Sequence, residues 1–228
     1  EELGGADLAL GHAEVDAVAI RPRPERPGET MHVAMRLAAH TGPVDRRATL
    51  DLAIQRQAQG VVDEVMTDLE DRGAQQAAVM VIDLESMQVR AAIGSRDWRS
   101  SALDFTSIRR SPGSILKPFI FAQALENQVI SQTSILDDLA RTKDGIGNAD
   151  DRFLGPMLPA AALANSRNVP SVHLVDRLGV GRVFGLFRQL GLHAETTGGD
   201  HYGLGLAVGA LPTRLVDVMT AYTALAGD

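Results

Sequence analysis

The hydrophobic period changes twice between Thr49 and Asn127, and few folds accommodate that order. Leu50, Ile54, Val61, Val65 and Leu69 recur at helical spacing, and Gly73 stands where such a helix would stop. Ala77 to Ile82 is then an apolar run of strand length. Asp83 to Met87 reads as a turn, and Gln88 to Ile93 as a second strand ending at Gly94, so the pair predicts a β-hairpin. A helical segment follows from Ser114 to about Asn127. The order helix, hairpin, helices predicts an α+β domain, with a mostly antiparallel sheet and an added helical lobe. Further on, residues 137–152 are rich in Asp and Gly and read as a loop. From Leu158 onward short helices alternate with turns marked by Gly179, Gly181, Gly191 and Gly198-Gly199. No repeat of solenoid period is present.

Upstream the pattern is weaker. Arg21 to Gly28 carries three prolines and three arginines, which predicts extended, linker-like backbone. A short helix is expected near Thr30 to His40. Residues 1–47 are therefore read as a linker segment ahead of a domain that occupies residues 48–228.

Composition narrows the function classes. Apolar residues are 45% of the 228 but aromatics only 4%, so the core must be built on Ala, Val, Leu and Ile. A net charge of −7, with no basic stripe, argues against nucleic acid and anionic membrane surfaces as partners. The absence of cysteine removes disulfides, thiol catalysis and zinc–thiolate sites. The six histidines show no close ligand spacing. Asp137-Asp138 and Asp150-Asp151 could hold Ca²⁺, but a solvated loop is the simpler reading. No run reaches the ~18 apolar residues of a membrane span, and no signal peptide opens the chain. Both ends look like cuts.

Chemistry enters with Ser114-Ile115-Leu116-Lys117. Residues i and i+3 share a helix face, so hydroxyl and amine can approach. A serine hydroxyl needs a base to become a nucleophile, and a lysine serves only if its pKa falls well below ~10.4. Burial and a helix N-terminus both push it that way. Pro118 would break a helix interior but is harmless in a first turn, so it places Ser114 and Lys117 at a helix start. Ile115, Leu116, Phe119, Ile120 and Phe121 make the segment apolar. Of 22 basic residues only Lys117 and Lys143 are lysines, the other twenty being arginines. Arginine cannot surrender its proton and lysine can, so a lone lysine in an apolar helix suits a general base.

A second element, Ser166-Arg167-Asn168, lies 52 residues beyond Ser114, between a short apolar helix (Ala160 to Ala164) and Val169-Pro170. The Ser166 hydroxyl could relay a proton between Lys117 and a leaving group. The Asn168 amide both donates and accepts, so it could hold the lysine and a substrate carbonyl together. By itself Ser-x-Asn is an ordinary turn before a proline. Candidate catalytic residues are thus Ser114, Lys117, Ser166 and Asn168, with Ser166 and Asn168 also binding substrate.

Together the two elements resemble the Ser-x-x-Lys and Ser-x-Asn motifs of the serine penicillin-recognising enzymes. The segment Arg110 to Phe119 is similar to the nucleophile segment of class A penicillin-binding proteins, and Ala48 to Gln55 to the opening of their transpeptidase domain. Ala164 to Val172 resembles their second motif with its Asn-Val-Pro, and Tyr202 to Ala226, with Gly203 to Gly209, a later helical stretch. The likeness is greatest to the 1C branch. The resemblance implies a penicillin-binding, serine β-lactamase-like transpeptidase fold and cross-linking of peptidoglycan stem peptides through an acyl-serine. It also implies acylation by β-lactams, no metal and no cofactor. The backbone N–H of Ser114 would be half of an oxyanion hole. Other implied features are a membrane-anchored parent on the periplasmic side of the inner membrane, a separate glycosyltransferase domain, and cell-wall synthesis proteins as partners.

The family's third motif, Lys-Thr-Gly, has no counterpart, because no lysine follows Lys143. Residues 48–228 are therefore expected to be the N-terminal portion of such a domain, incomplete at the C-terminus and with little or no activity alone. Two other expectations compete. A β-lactamase-like hydrolase would need a further base for deacylation, and a non-catalytic sensor or scaffold would keep the fold without turnover.

Overall fold

The computed structural model describes residues 28–40, 47–140, 146–193 and 197–226. The proline-rich stretch 21–27 and Lys143 lie outside them. In chain order the elements are α1 (Met31–His40), α2 (Leu52–Leu69), β1 (Val79–Asp83), β2 (Gln88–Ile93), a 3₁₀ turn (Gly113–Leu116) and α3 (Lys117–Glu126). There follow β3 (Leu136–Asp138), β4 (Gly155–Met157), α4 (Pro159–Ala164), α5 (Asn168–Leu178), α6 (Val180–Gln189), a further 3₁₀ turn (Gly203–Val208) and α7 (Leu215–Ala226), with shorter 3₁₀ turns at Gly28–Thr30, Glu70–Arg72 and Gly199–His201. This is the expected α+β order, with the predicted hairpin and the predicted helix at 31–40.

β1 and β2 pair antiparallel from Val79↔Ile93 to Asp83↔Gln88, with a register shift between Val81 and Ile82. Successive residues face opposite sides of a strand, and here both sides are covered. Met80 and Ala92 pack with Val33 of α1 and with Leu215, Val216 and Met219 of α7, while Ile93 and Val79 pack with Val62 and Met66 of α2. Burial on both faces explains why β2 ends in the uninterrupted apolar run Ala91-Ala92-Ile93.

Asp51 caps α2, its carboxylate accepting from Ala53 and Ile54 N–H. The buried stripe of α2 differs from the one its periodicity suggests. Val61 and Val65 are exposed at 54% and 46%, whereas Gln55, Val62 and Met66 are buried. Gln55 goes inside because its amide replaces a strand. Its Nε2 donates to Ala92 O (3.1 Å) and Glu29 O (2.7 Å), and its Oε1 accepts from Ala92 N–H (2.8 Å). With Asp51 N–H donating to Arg90 O (2.9 Å), Gln55 covers the outer edge of β2. That rotates the helix by about one residue from the phase that counting apolar positions gives.

The largest buried cluster belongs to the helical lobe. It joins Leu116, Phe119, Ile120 and Ala124 of the 3₁₀ turn and α3 to Val172, Val175, Phe187, Leu206 and Leu211. The stretch 137–152 is not simply a loop: Leu136–Asp138 pairs with Gly155–Met157, so its ends close on each other beside the site. Among the described residues no helix is long and apolar enough to cross a membrane.

Candidate active site

Ser114 lies in the 3₁₀ turn and Lys117 opens α3, with Pro118 in its first turn where the lost N–H costs nothing. The turn is pinned from the far end of the chain. Arg110 and Thr213 exchange backbone hydrogen bonds of 2.9 Å each, and Ser111 Oγ donates to Gly209 O at 2.7 Å. Tyr222 of α7 donates to Ile115 O and meets Phe119 edge-on, ring centroids 5.1 Å apart.

Lys117 is 1% exposed. Its ammonium donates to Ser166 O (2.6 Å), Asn168 Oδ1 (2.7 Å) and Ser166 Oγ (3.3 Å). Three donors meet three acceptors, so the protonated amine is satisfied. Burial, and after it the cation of Arg167, pull Lys117 down to about 8. When the amine is neutral it has two N–H groups and a lone pair. A carbonyl and an amide oxygen cannot donate to that lone pair, but a serine hydroxyl can. Of the three partners only Ser166 Oγ can reverse its role, and its longer bond is the one to give way.

Three of the four expected residues, Lys117, Ser166 and Asn168, are thus hydrogen-bonded together. Ser114 is one turn away on the same segment, and no hydrogen bond joins its hydroxyl to Lys117 among the described residues. The i, i+3 spacing lets the Ser114 hydroxyl and the Lys117 amine approach, but the amine's bonds go to Ser166 and Asn168, beside Ser114.

Ser166 has a left-handed backbone, φ +52°. It ends α4 in a Schellman arrangement, Ser166 N–H donating to Leu163 O and Arg167 N–H to Ala162 O, both 2.9 Å. Glycine favours that position; a side chain there costs about 1–2 kcal/mol. Retaining serine points to its hydroxyl. Ser166→Gly should leave stability unchanged or raise it by up to about 1 kcal/mol, despite losing a hydrogen bond, while slowing acylation of Ser114 about tenfold or more. Thermal unfolding and acylation kinetics on one preparation check both halves.

Spacing gave no hint of the support behind Asn168. Its N–H donates to Asn148 Oδ1 (2.8 Å) and its Nδ2 to Gly147 O (3.0 Å). Since Nδ2 is occupied there and the Lys117 ammonium only donates, the oxygen must face Lys117. Arg167, 5% exposed, donates Nε to Asp138 Oδ2 (2.7 Å), a second nitrogen to Asp150 (3.0 Å) and a third to Arg152 O. Asp138 and Asp150 therefore serve a guanidinium, and the paired-aspartate stretch is neither a free cation loop nor a simply solvated one. Burial pushes the Asp138 carboxyl up, but hydrogen bonds from Leu154 N–H, Asn148 and Arg167 outweigh it and hold it below the usual carboxylate range. Arg167 was missed as a functional candidate because twenty arginines make any one of them look like surface.

A cleft of about 630 Å³ opens beside Asn168, lined by Ile146, Gly147, Val172, His173 and Leu204 among others. A larger cavity of about 820 Å³ lies between α1 and the hairpin, lined by Val33, Leu37, Met80 and Val89, and holds none of the four candidate residues.

Residues 77–206 match the penicillin binding protein transpeptidase domain family. The chain belongs to this family. It is 33% identical over 184 residues to penicillin-binding protein 1C of Escherichia coli K12, covering 78% of this chain and 24% of that protein. It is 27% identical over 157 residues to penicillin-binding protein 1A of Rickettsia typhi, covering 65% of this chain and 20% of that one. The chain thus spans a quarter or less of these relatives' length. Among solved structures, penicillin-binding protein PonA1 of Mycobacterium tuberculosis superposes with TM-score 0.66 at 25% identity, covering 87% of this chain and 56% of that one. The same protein solved with penicillin V gives TM-score 0.65. The fold is that of a penicillin-binding transpeptidase domain, as the motifs implied.

Proposed function

We propose that this chain carries the acyl-transfer site of a peptidoglycan D,D-transpeptidase. The observation that carries the reading is the buried Lys117 amine, held by Ser166 and Asn168 one turn from Ser114. Ser114 Oγ gives its proton to neutral Lys117 as it bonds the carbonyl of a D-Ala-D-Ala stem peptide. Lys117 passes that proton through Ser166 to the departing D-Ala amine. An amine of a neighbouring strand then attacks the ester, loses its proton by the same route, and Ser114 recovers its hydroxyl. The Ser114 N–H, at the start of a 3₁₀ turn, donates to the oxyanion. Asn168 orients Lys117 and offers its remaining N–H to substrate in the adjoining cleft. A β-lactam takes the same course and stops as an acyl-Ser114. Stem peptides are then the substrates, and the working protein is membrane-anchored at the periplasmic face, among other cell-wall synthesis proteins.

The test is fluorescent penicillin on the full-length protein, with the adduct mapped by peptide mass. The label is expected on Ser114, persisting for hours. A label elsewhere, or none, overturns the reading, and rapid turnover indicates a hydrolase.

The acylation rate should rise with pH about a midpoint near 8. The reactive form is the unprotonated amine, so lowering its pKa enlarges that fraction at neutral pH. About a tenth is free at pH 7, against less than about a thousandth for an ordinary lysine. A rate constant that falls between pH 7 and 9 would remove Lys117 as base.

A further inference from the structure

The candidate site has a support of its own, built from β3, the 146–152 loop and the α4–α5 junction. Asn148 is buried and its amide is fully used. It donates to Asp138 Oδ1 (2.7 Å) and to Arg152 O (2.9 Å), and it accepts the Asn168 N–H (2.8 Å). Asp138, 0% exposed, accepts from Asn148 on one oxygen and from Arg167 Nε and Leu154 N–H on the other. Arg167 stands between Ser166 and Asn168 in the chain, so wherever its guanidinium is fixed, the two residues that grip Lys117 are fixed too. Its N–H is meanwhile engaged by Ala162 O and its carbonyl by Ser171 Oγ (2.7 Å). A surface turn would need none of this. One buried carboxylate, one buried guanidinium and one buried amide satisfy one another and also specify the aim of Asn168.

We propose that Arg167 and Asn148, joined through Asp138, are positioning residues that hold Ser166 and Asn168 against Lys117 and set the charge beside the amine. The proposal rests on the acyl-transfer reading above and assigns the control of that site to residues outside its two motifs. Of the charged and titratable groups near Lys117, Arg167 comes from the α4–α5 junction, where its chain neighbours Ser166 and Asn168 both bond the amine and its guanidinium is held by Asp138 and Asp150. Tyr222 of α7 reaches Ile115 O, and its hydroxyl is pushed up by burial. His173 and Asp176 of α5 line the cleft beyond Asn168. Neither α4 nor the 203–208 turn carries a charged residue. Arg167 is thus the cation that opposes the Lys117 proton.

The experiment measures penicillin acylation of Ser114 in the full-length protein from pH 6 to 10. The paired variant Arg167→Gln with Asp138→Asn removes both buried charges and leaves neutral amides in their place. Its midpoint is expected to move up by at least about half a unit, because the opposing cation is gone, with acylation at pH 7 about 10- to 100-fold slower. Arg167→Lys keeps the cation and loses the fork, so the midpoint should stay near wild type while the rate falls. Asn148→Ala should lower the rate at every pH without moving the midpoint. An effect on folding alone would change yield and thermal midpoint but not the pH profile of the folded fraction. Should the paired variant fail to fold, Asn148→Ala decides, since it leaves the ion pair intact. Wild-type rates and midpoints in the variants overturn the clamp while acyl-Ser114 in the wild type upholds the function. No acyl-Ser114 in the wild type removes both.

Discussion

Lys117→Arg should reduce β-lactam acylation of Ser114 by about a thousandfold, within the range general base catalysis supplies. The substitution preserves positive charge and hydrogen-bond donors. A guanidinium can still reach Ser166 O and Asn168 Oδ1, which Lys117 now contacts at 2.6 and 2.7 Å. What it cannot do is lose its proton, because arginine stays charged at any accessible pH. The fixed charge it introduces would also be opposed by the cation of Arg167, which already disfavours the Lys117 proton. Where the wild type is expected to show a midpoint near 8, the variant should give a low, flat acylation profile from pH 6 to 10. Thermal unfolding of the same sample separates this from simple collapse of a buried site. A loss smaller than tenfold with a retained pH midpoint would show that the base is another group.

That experiment probes the part of the candidate site that is written locally in the sequence. Ser114, Lys117, Ser166 and Asn168 lie in two short motifs, where chemistry is written at spacings of three and two. Pro118 adds a positional constraint that holds without any tertiary information, and the structure has it in the first turn of α3. The hairpin was legible for a similar reason, since strand–turn–strand is local and its turn residues are distinctive. What was not legible depends on partners far away in sequence. Gln55 looks like a surface residue until Ala92 offers it an unpaired strand edge. Val61 and Val65 look like core until Gln55 fixes the rotation of α2. Asp138, Asn148 and Arg167 are polar residues in an Asp-rich stretch and beside a turn, and only their mutual contact removes them from water. The left-handed backbone of Ser166 was equally hidden, because nothing in its neighbours demands a glycine-like conformation there.

Gly209→Ala should be among the most damaging single-methyl changes in the chain. Gly209 is buried with φ +90°, and a Cβ on it would sit 2.3 Å from Gly113 N and 2.6 Å from Gly113 Cα and O. These are backbone atoms, so no rotamer change relieves the overlap; either the 203–208 turn or the nucleophile turn must move. Gly113 precedes Ser114, and Gly209 O also receives the Ser111 hydroxyl, so the displacement falls on the nucleophile. The strain of a side chain at this φ adds about 1–3 kcal/mol to the cost of the clash, and a total near 3 kcal/mol or more is expected in thermal or denaturant unfolding. Acylation of the fraction that still folds should fall about a hundredfold, since a shift near 1 Å at a reacting atom costs that much. Gly73→Ala is the matching control. Gly73 has φ +86° but no heavy atom within 4 Å of the added methyl, so it carries the backbone strain without the collision. It should lose about 1–2 kcal/mol and acylate normally. Equal losses in the two variants, with acylation intact in both, would mean that the close approach of Gly209 to Gly113 does not seat Ser114. A large difference confined to Gly209 would make that backbone contact the element that couples the C-terminal helices to the nucleophile.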